Sequence, residues 1–190
     1  INAIILADGT GLASNYALPA LNNSNAPVTI TARPITITAD AGQTKIYGNS
    51  EPVFSYTPEP LGANRGLVGT DSFDGSLART AGENVGSYAI NQGTLDNGNY
   101  SISFVPNNFA ITQRPITITA DAGQTKIYGN SEPVFSYTPE PLGVNRGLVV
   151  GDTFAGSLAR TAGENVASYA INQGTLDNGN YNITFVPNNF

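Results

Sequence analysis

Residues 33–39 read Arg-Pro-Ile-Thr-Ile-Thr-Ala, and the same seven residues recur at 114–120. Within 35–39 the isoleucines alternate with threonines, a pattern that predicts a strand with one buried face. Pro34 can stand at the start of that strand, where its missing N–H group weakens the sheet little. The sequence therefore predicts that each copy of this segment opens a β module.

These seven residues begin a much longer repeat. Residues 33–109 recur as 114–190, and only eight aligned positions differ. The differing pairs are mostly small or polar: Ala63/Val144, Gly69/Val150, Thr70/Gly151, Ser72/Thr153, Asp74/Ala155, Gly86/Ala167, Ser101/Asn182 and Ser103/Thr184. A long fixed period is typical of an array of similar modules. Two modules this alike favour a requirement for number and spacing, because one-off chemistry needs only one good site.

Further short strands, separated by turns rich in Gly, Asn and Pro, are predicted at 44–47, 53–57, 75–79, 87–91 and 109–112. Asn97 and Gly98 follow 93–95 and precede 100–104, and this dipeptide readily forms a type I′ turn, so a tight β-hairpin is predicted. No window of ten or more residues carries the apolar stripe of a helix. The predicted fold class is mostly β, as tandem small β domains arranged end to end.

Composition excludes several classes of chemistry. The chain has no Cys and no His, which removes disulfides, thiolate metal sites and the usual general base. Fourteen acidic residues against eight basic ones give a net charge of −6. The basic residues are spread singly, so nucleic acid is not an expected partner. No apolar stretch approaches the length of a membrane-spanning segment.

The junction between the two copies carries no Gly/Ser-rich linker. Residues 109–112 lead through Gln113 and Arg114 directly to Pro115, whose ring fixes its own φ angle and restricts the preceding residue to extended geometry. We therefore predict a stiff, end-to-end joint formed by these three residues. Arg33 and Pro34 are the expected counterparts at an earlier joint.

The phasing of the repeat predicts three segments. Residues 1–32 are interpreted as the C-terminal part of a preceding, divergent repeat, because 27–32 lead into Arg33 as 109–113 lead into Arg114. Residues 33–113 form the first full repeat. Residues 114–190 form the second, which we expect to be truncated at its last strand.

Several motifs of the repeat resemble those of a known family. The opening segment is followed by Lys-Ile-Tyr-Gly at 45–48, Gly-Ser-Leu-Ala-Arg at 75–79, Gly-Ser-Tyr-Ala-Ile at 86–90 and Asn-Tyr at 99–100. In this order they resemble the MBG repeats, more specifically those of the YGX type. Thr-Gly-Leu-Ala-Ser-Asn-Tyr at 10–16 resembles the end of a YDG-type repeat. The resemblance covers essentially the whole chain.

The resemblance implies a class of protein. Such modules form long stalks in large bacterial surface or secreted proteins, including haemagglutinin-like exoproteins and biofilm adhesins. A compact β fold of β-grasp-like form is also implied, and alternation alone leaves an Ig-like sandwich open. The family supplies no catalytic residues, so neither an enzyme nor a cofactor is expected here.

Acidic loop residues are the candidates for a metal site. Ca²⁺ prefers six to eight oxygen ligands, and such a site would lie at Asp71 with Asp96, or at Asp152 with Asp177. The spacing matches no EF-hand loop, and a further acid of the first loop is not kept in the second copy. We therefore favour turn formation and solubility as the role of these residues, with calcium binding as the alternative.

Other charged and aromatic residues of the repeat leave further alternatives open. A carboxylate pair could hydrolyse a glycoside without His, but it needs a cleft that so small a module hardly offers. Arg79 and Glu83 flank a turn and predict a weak surface ion pair. Lys45 could form a cross-link to an Asn beside a buried acid. Tyrosines could stack on sugars, although alternation with polar residues predicts a core position for Tyr47, Tyr56, Tyr88 and Tyr100.

The function predicted from these observations is structural. We expect a stalk or spacer segment of a large repetitive adhesin, secreted or held at the bacterial cell surface, where it gives reach and stiffness. Its expected partners are the neighbouring repeats of the same polypeptide. The alternatives are a module that binds glycan or matrix polysaccharide, and a subunit that assembles with other copies of itself into extracellular fibres.

Overall fold

A computed structural model describes residues 29–190 of the chain. Residues 1–28, which make up most of the predicted leading repeat, lie outside the described residues. The described part consists of short β-strands joined by turns and contains no helix. Residues 29–190 therefore include no helix long and apolar enough to cross a membrane. The mostly β fold class predicted from the sequence is confirmed.

The first module contains seven strands. They are β1 (Arg33–Ala39), β2 (Thr44–Ile46), β3 (Tyr56–Pro58), β4 (Ala78–Arg79), β5 (Gly86–Asn91), β6 (Tyr100–Val105) and β7 (Asn108–Thr112). In one sheet β1 lies between β3, which is antiparallel to it, and β6, which is parallel. The other sheet has the order β2-β7-β5-β4, in which only β2 and β7 are parallel.

One apolar core is shared by these two sheets. Ile35 and Ile37 of β1 and Phe109 and Ile111 of β7 are each at most 2% exposed. The ring of Phe109 meets that of Phe54 edge to face, with centroids 5.1 Å apart. Two sheets around one core make a sandwich, and the parallel pairs β1–β6 and β2–β7 distinguish it from an Ig-like domain, whose sheets are antiparallel.

The second module repeats this plan. Its strands are β8 (Arg114–Ala120), β9 (Tyr137–Pro139), β10 (Ala159–Arg160), β11 (Ala170–Asn172), β12 (Tyr181–Val186) and β13 (Asn188–Asn189). β8 lies between β12, in parallel, and β9, as β1 lies between β6 and β3. The second sheet has the order β10-β11-β13, and Phe190 exchanges backbone hydrogen bonds of 2.8 and 2.9 Å with Tyr169.

The differences between the copies share one structural property. At all eight differing positions the residue is exposed in both modules. Buried positions, including the isoleucines of β1 and β8, are identical. The repeat therefore preserves the core and varies only where a substitution costs little.

The predicted Asn-Gly hairpin is wrong. Neither Asn97 nor Gly98 has a positive φ angle, and β6 pairs in parallel with β1 instead of folding back on the segment before the turn. The Asn97 side chain explains the difference, because its Oδ1 accepts the N–H of Asn99 at 3.0 Å and its Nδ2 donates to the Ser72 carbonyl at 2.8 Å. These bonds hold an Asx-type turn that directs the chain to the other sheet.

Two other predicted strands differ from their expected extent. The strand at 75–79 is reduced to β4, and that at 53–57 is displaced to β3. Gly75 has a φ of +80°, and a Cβ built there would lie 2.2 Å from the carbonyl oxygen of Thr94. The chain crosses another loop so closely that only glycine fits, and ladder pairing begins beyond that point.

Candidate functional site

The joint between the two modules is one residue long. β7 ends at Thr112 and β8 begins at Arg114, so Gln113 alone separates the strands. The Tyr47 N–H donates to the Thr112 carbonyl at 2.9 Å, and the Gln113 side-chain amide donates to the Gly179 carbonyl at 3.2 Å. Both sides of the joint are therefore held by neighbouring loops.

Arg114 lies at the centre of this joint and is 1% exposed. Its Nε donates to the Gly147 carbonyl at 2.9 Å, and its Nη2 donates to the carbonyls of Gly143 and Arg146 at 2.7 and 2.8 Å. These three carbonyls, which we call the arginine cradle, belong to the same module as Arg114. They fix the direction in which the remaining nitrogen points.

That remaining nitrogen bridges the modules. Nη1 of Arg114 donates to the Tyr47 carbonyl at 3.2 Å and to Asn49 Oδ1 at 2.9 Å, both in the first module. A buried donor left without a partner costs about 1–3 kcal/mol, and more when it is charged. The burial of Arg114 therefore depends on acceptors from both modules.

An aromatic contact supports the arginine. Tyr47 packs against the core of the second module as well as that of its own, and its ring meets Tyr181 edge to face with centroids 5.6 Å apart. The Tyr181 hydroxyl donates to the carboxylate of Asp152. Burial, with this carboxylate, raises the pKa of Tyr181 and of Tyr47 above the ordinary range. Both tyrosine hydroxyls therefore stay protonated well above pH 7.

Asparagines form the rim of the joint. Asn49 Nδ2 donates to Asn145 Oδ1 at 2.7 Å, and Asn180 Nδ2 donates to Asn84 Oδ1 at 3.1 Å. The Oδ1 of Asn180 also accepts the Val85 N–H at 2.9 Å. Each of these bonds joins one module to the other, so the joint combines a buried charge, an aromatic contact and a polar rim.

Equivalent residues of the two modules differ in their exposure near the joint. Tyr128 and Val166 of the second module are 69% and 91% exposed, whereas their counterparts Tyr47 and Val85 are partly buried. Local sequence is identical at these positions. In the first module the Tyr47 N–H bonds to Thr112 and the Tyr47 ring packs on the core of the second module, while the Val85 N–H bonds to Asn180 of that module.

Arg33 and Pro34 stand where an earlier joint was predicted. The Arg33 Nε donates to the Gly66 carbonyl at 2.9 Å, and its Nη2 donates to the Gly62 and Arg65 carbonyls at 2.6 Å. The arginine cradle is thus present in the first module too. Pro34 is exposed, as is its counterpart Pro115. A preceding repeat that would meet this face falls mostly outside the described residues.

Gly48 and Gly129 form a matched pair of probes of the joint. Gly48 has a φ of +77°, and a Cβ there would lie 2.5 Å from Val149 Cγ2 in the second module, whereas Gly129, with a φ of +85°, has nothing within 4 Å. Gly48→Ala should lower the free energy of unfolding by about 2–3 kcal/mol, against about 1 kcal/mol for Gly129→Ala, which shares only the backbone strain. Urea unfolding measures both, and equal losses would contradict the contact.

A cluster of charged residues lies beside the second sheet. Lys45 Nζ contacts the carboxylates of Glu51 and Glu83 at 2.7 and 2.6 Å, and Arg79 contacts the same two acids. The side chains of Lys45 and Arg79 are 6% and 7% exposed. Within residues 29–190, Lys45 Nζ bonds to these two carboxylates and to no Asn side chain, so the geometry gives no support to a Lys–Asn cross-link.

The predicted pair of Arg79 and Glu83 is present, but it is more than a surface ion pair. The Arg79 guanidinium lies over the rings of Tyr88 and Phe109, at 4.9 and 5.4 Å from their centroids. Arg79 also pairs with a second acid, Glu51. The two residues are 28 positions apart, and the sequence carries no signal for pairing over that separation. Lys126, Glu132, Arg160 and Glu164 form the equivalent cluster in the second module.

This charged cluster predicts acid sensitivity. The Arg79 guanidinium, with Lys45, lowers the pKa of Glu51 to about 2, and Arg160, with Lys126, does the same for Glu132. An unfolded glutamate titrates at about 4.3, so the unfolded chain binds more protons below that pH. The stabilisation is complete above about pH 4.5 and is lost as the pH falls toward about 2. Thermal unfolding followed by circular dichroism from pH 7 to pH 2 checks this, and an unchanged Tm would contradict it.

The acidic residues considered for calcium have other bonds. The carboxylate of Asp71 accepts the Tyr100 hydroxyl at 2.6 Å, and Asp152 accepts the equivalent bond. Asp96 and Asp177 each form a single backbone bridge to the loop opposite. Within residues 29–190, no group of three or more acidic residues is placed to hold a metal ion. Calcium binding has no supporting geometry in that part of the chain.

The geometry defines the class first: a tandem array of small two-sheet β modules joined by a buried arginine. The family model described as MBG domain (YGX type) matches residues 35–110 and 116–190. The chain therefore belongs to the MBG domain family of the YGX type. MBG repeat domains occur in repetitive surface proteins. Neither the curated proteins nor the solved structures yielded a match to the chain.

Proposed function

We propose that the chain is a stiff spacer, a stalk segment of a large repetitive adhesin secreted or displayed by a bacterium. It sets the distance between the cell and a distal binding region. The observation that carries the proposal is the burial of Arg114 between two modules, with hydrogen-bond acceptors on both sides. In a chain of freely jointed domains, no arginine would be buried with hydrogen-bond acceptors from two modules.

Stiffness follows from what bending would cost. Rotation of one module away from the other would expose Tyr47 and leave the Nη1 of Arg114 without its partners in the first module. Gln113 is the only residue between β7 and β8, and both its side chain and the neighbouring Thr112 carbonyl are hydrogen-bonded, so such a rotation also breaks these bonds. Bending therefore requires breaking the joint, which sets it apart from a Gly/Ser linker.

Charge and surface variation fit the same role. The net charge of −6 keeps neighbouring stalks from associating, and the two modules differ only at exposed positions. Glu51 and Glu83 are engaged in the ion cluster with Lys45 and Arg79. We infer that the segment is not an enzyme and needs no cofactor.

Small-angle scattering on concatenated chains tests the spacer role. Chains of two, four and six modules, each joined as residues 109–115 join the present pair, should increase in maximum dimension by a constant amount per module. A matched set with Gly-Gly-Ser inserted after Gln113 should increase more slowly, because flexible chains grow roughly as the square root of length. Identical growth of the two sets would contradict a stiff stalk.

A glycan array separates the spacer from a binding module. Among the tyrosines of residues 29–190, only Tyr128 is largely exposed, and the others are half-buried or buried. Stacking on sugars needs an exposed aromatic face, so we expect no specific binding. Micromolar binding of a defined glycan by the two-module chain would contradict the pure spacer and favour the alternative.

A further inference from the structure

Each module has two different ends. The second module meets the first through Arg114 and Tyr181, the first residues of β8 and β12. The first module meets the second through Tyr47 and Asn49, which follow β2, and β7 ends at the same joint. By the equivalence of the two copies, β1 and β6 begin at one end of a module, and β2 and β7 finish at the other.

Two parallel ladders connect these ends. β1 pairs with β6 from Arg33 opposite Tyr100 onward, and β2 pairs with β7 until Ile46 stands opposite Thr112. Four residues separate β1 from β2, and two residues separate β6 from β7. The strands that open the module therefore lie beside the strands that close it, and both pairs run in parallel.

Asn107 joins one ladder to the next. Its Nδ2 donates to the Ala39 carbonyl at the end of β1 at 3.4 Å, and its own carbonyl accepts the Ile90 N–H of β5 at 2.7 Å. The chain thus passes from β6 to β7, and from one sheet to the other, while it stays bonded to both. Asn188 donates to the Ala120 carbonyl at 3.3 Å in the second module, which repeats the side-chain bond.

Tension along the chain acts on these ladders as shear. It pulls β1 by its first residue, Arg33, and β7 by its last residue, Thr112, in opposite directions. Sliding has to break the six residue pairs of β1 with β6 together, whereas peeling breaks them one after another. A slip by one residue also turns every side chain of a strand to the opposite face, which would take Ile35 and Ile37 out of the core.

The loaded end of β1 is held by a loop outside both ladders. Arg33 donates to the three carbonyls of its arginine cradle, and the Gly66 N–H donates to the Pro34 carbonyl at 2.9 Å. Fraying of β1 from this end would convert shear into peeling. These four bonds oppose such fraying.

We propose that each module is a mechanical clamp, which resists tension through shear between its opening and closing strands. The second module keeps the main ladder, because β8 pairs with β12 over six residues in the equivalent register. The inference rests on the proposed function, since a stalk between a cell and a bound surface is under tension. It adds mechanical strength, which a stiff spacer does not by itself require.

Pulling the first module in two directions with optical tweezers tests the proposal. The chain has no Cys, so handles react only with introduced cysteines. Ala32→Cys with Gln113→Cys pulls along the ladders, and Ala32→Cys with Gly98→Cys pulls β1 and β6 apart from their common end. All three positions are exposed. The unused third position carries Ser in each variant, so the two proteins differ only in where one handle is attached.

We expect unfolding along the ladders to need several times the force of unfolding by peeling. Forced unfolding depends on the unfolding rate along the pulled direction, and the two variants share one fold and one set of strand pairs. Each event along the ladders should lengthen the chain by about 240 Å, the extended length of the 81-residue period less the folded span.

Equal forces in the two directions would overturn the proposal, because shear of the ladders would then add no resistance. The scattering series of two, four and six modules tests the spacer role separately. Linear growth in that series together with equal forces would refute the clamp alone and leave the spacer function standing.

Discussion

Arg114→Ala is expected to split the unfolding of the chain into two transitions, where the native chain unfolds in one. The substitution removes five hydrogen bonds of a residue that is 1% exposed, two of them to the first module. We expect the second module to lose about 3–5 kcal/mol, because bonds from a charged donor each contribute about 1.5–3 kcal/mol and are only partly replaced by water. Differential scanning calorimetry resolves the transitions.

Arg33→Ala provides the matched control for this prediction. Arg33 occupies the same arginine cradle in the first module, with three hydrogen bonds to carbonyls, but it is partly exposed. Its loss should lower stability by about 1–2 kcal/mol and keep a single transition. Equal stability losses and equal numbers of transitions for the two substitutions would mean that Arg114 stabilises its own module and not the joint.

Phe109→Ala is expected to lower the free energy of unfolding of the first module by about 3–5 kcal/mol, the usual cost of emptying a buried phenylalanine site. The ring is 0% exposed, contacts Phe54 edge to face and lies 5.4 Å from the Arg79 guanidinium. Because a module of this size is marginally stable, most of its stability disappears. Urea unfolding followed by tyrosine fluorescence measures the loss.

Phe190→Ala is the control for Phe109→Ala. Phe190 has the same neighbours in the second module, Phe135 at 5.1 Å and Arg160 at 5.4 Å, but it is only partly buried. We expect a loss of about half that of Phe109→Ala, since less apolar area leaves the core. A larger loss at Phe190 than at Phe109 would contradict the assignment of the core.

The sequence predicted the parts of this structure that depend on neighbours along the chain. Alternation in residues 35–39 predicted the buried face of β1, and the absence of a linker around Gln113 predicted the direct passage from β7 to β8. The residues proposed for the joint include Arg114, which lies at its centre. These predictions depend on local patterns, which a single sequence displays.

Long-range pairing could not be predicted in this way. The parallel pairing of β6 with β1 joins residues more than sixty positions apart, and the Asn97 turn follows from a bond to Ser72 in a distant loop. Tyr47 was expected only in the core of its own module, yet it also contacts Tyr181 in the next. A single sequence carries no signal for such contacts, because periodicity reports which face is buried but not against what.

Electron–electron distance measurement between the modules tests the central claim, a stiff joint, most directly. Ser103 and Thr184 are equivalent exposed positions on β6 and β12, and the chain has no other Cys to react once both are replaced. Spin labels on Ser103→Cys and Thr184→Cys should give one narrow distance distribution in the native chain and a broad one after Gly-Gly-Ser is inserted behind Gln113. A native distribution as broad as that of the insertion variant would contradict the account.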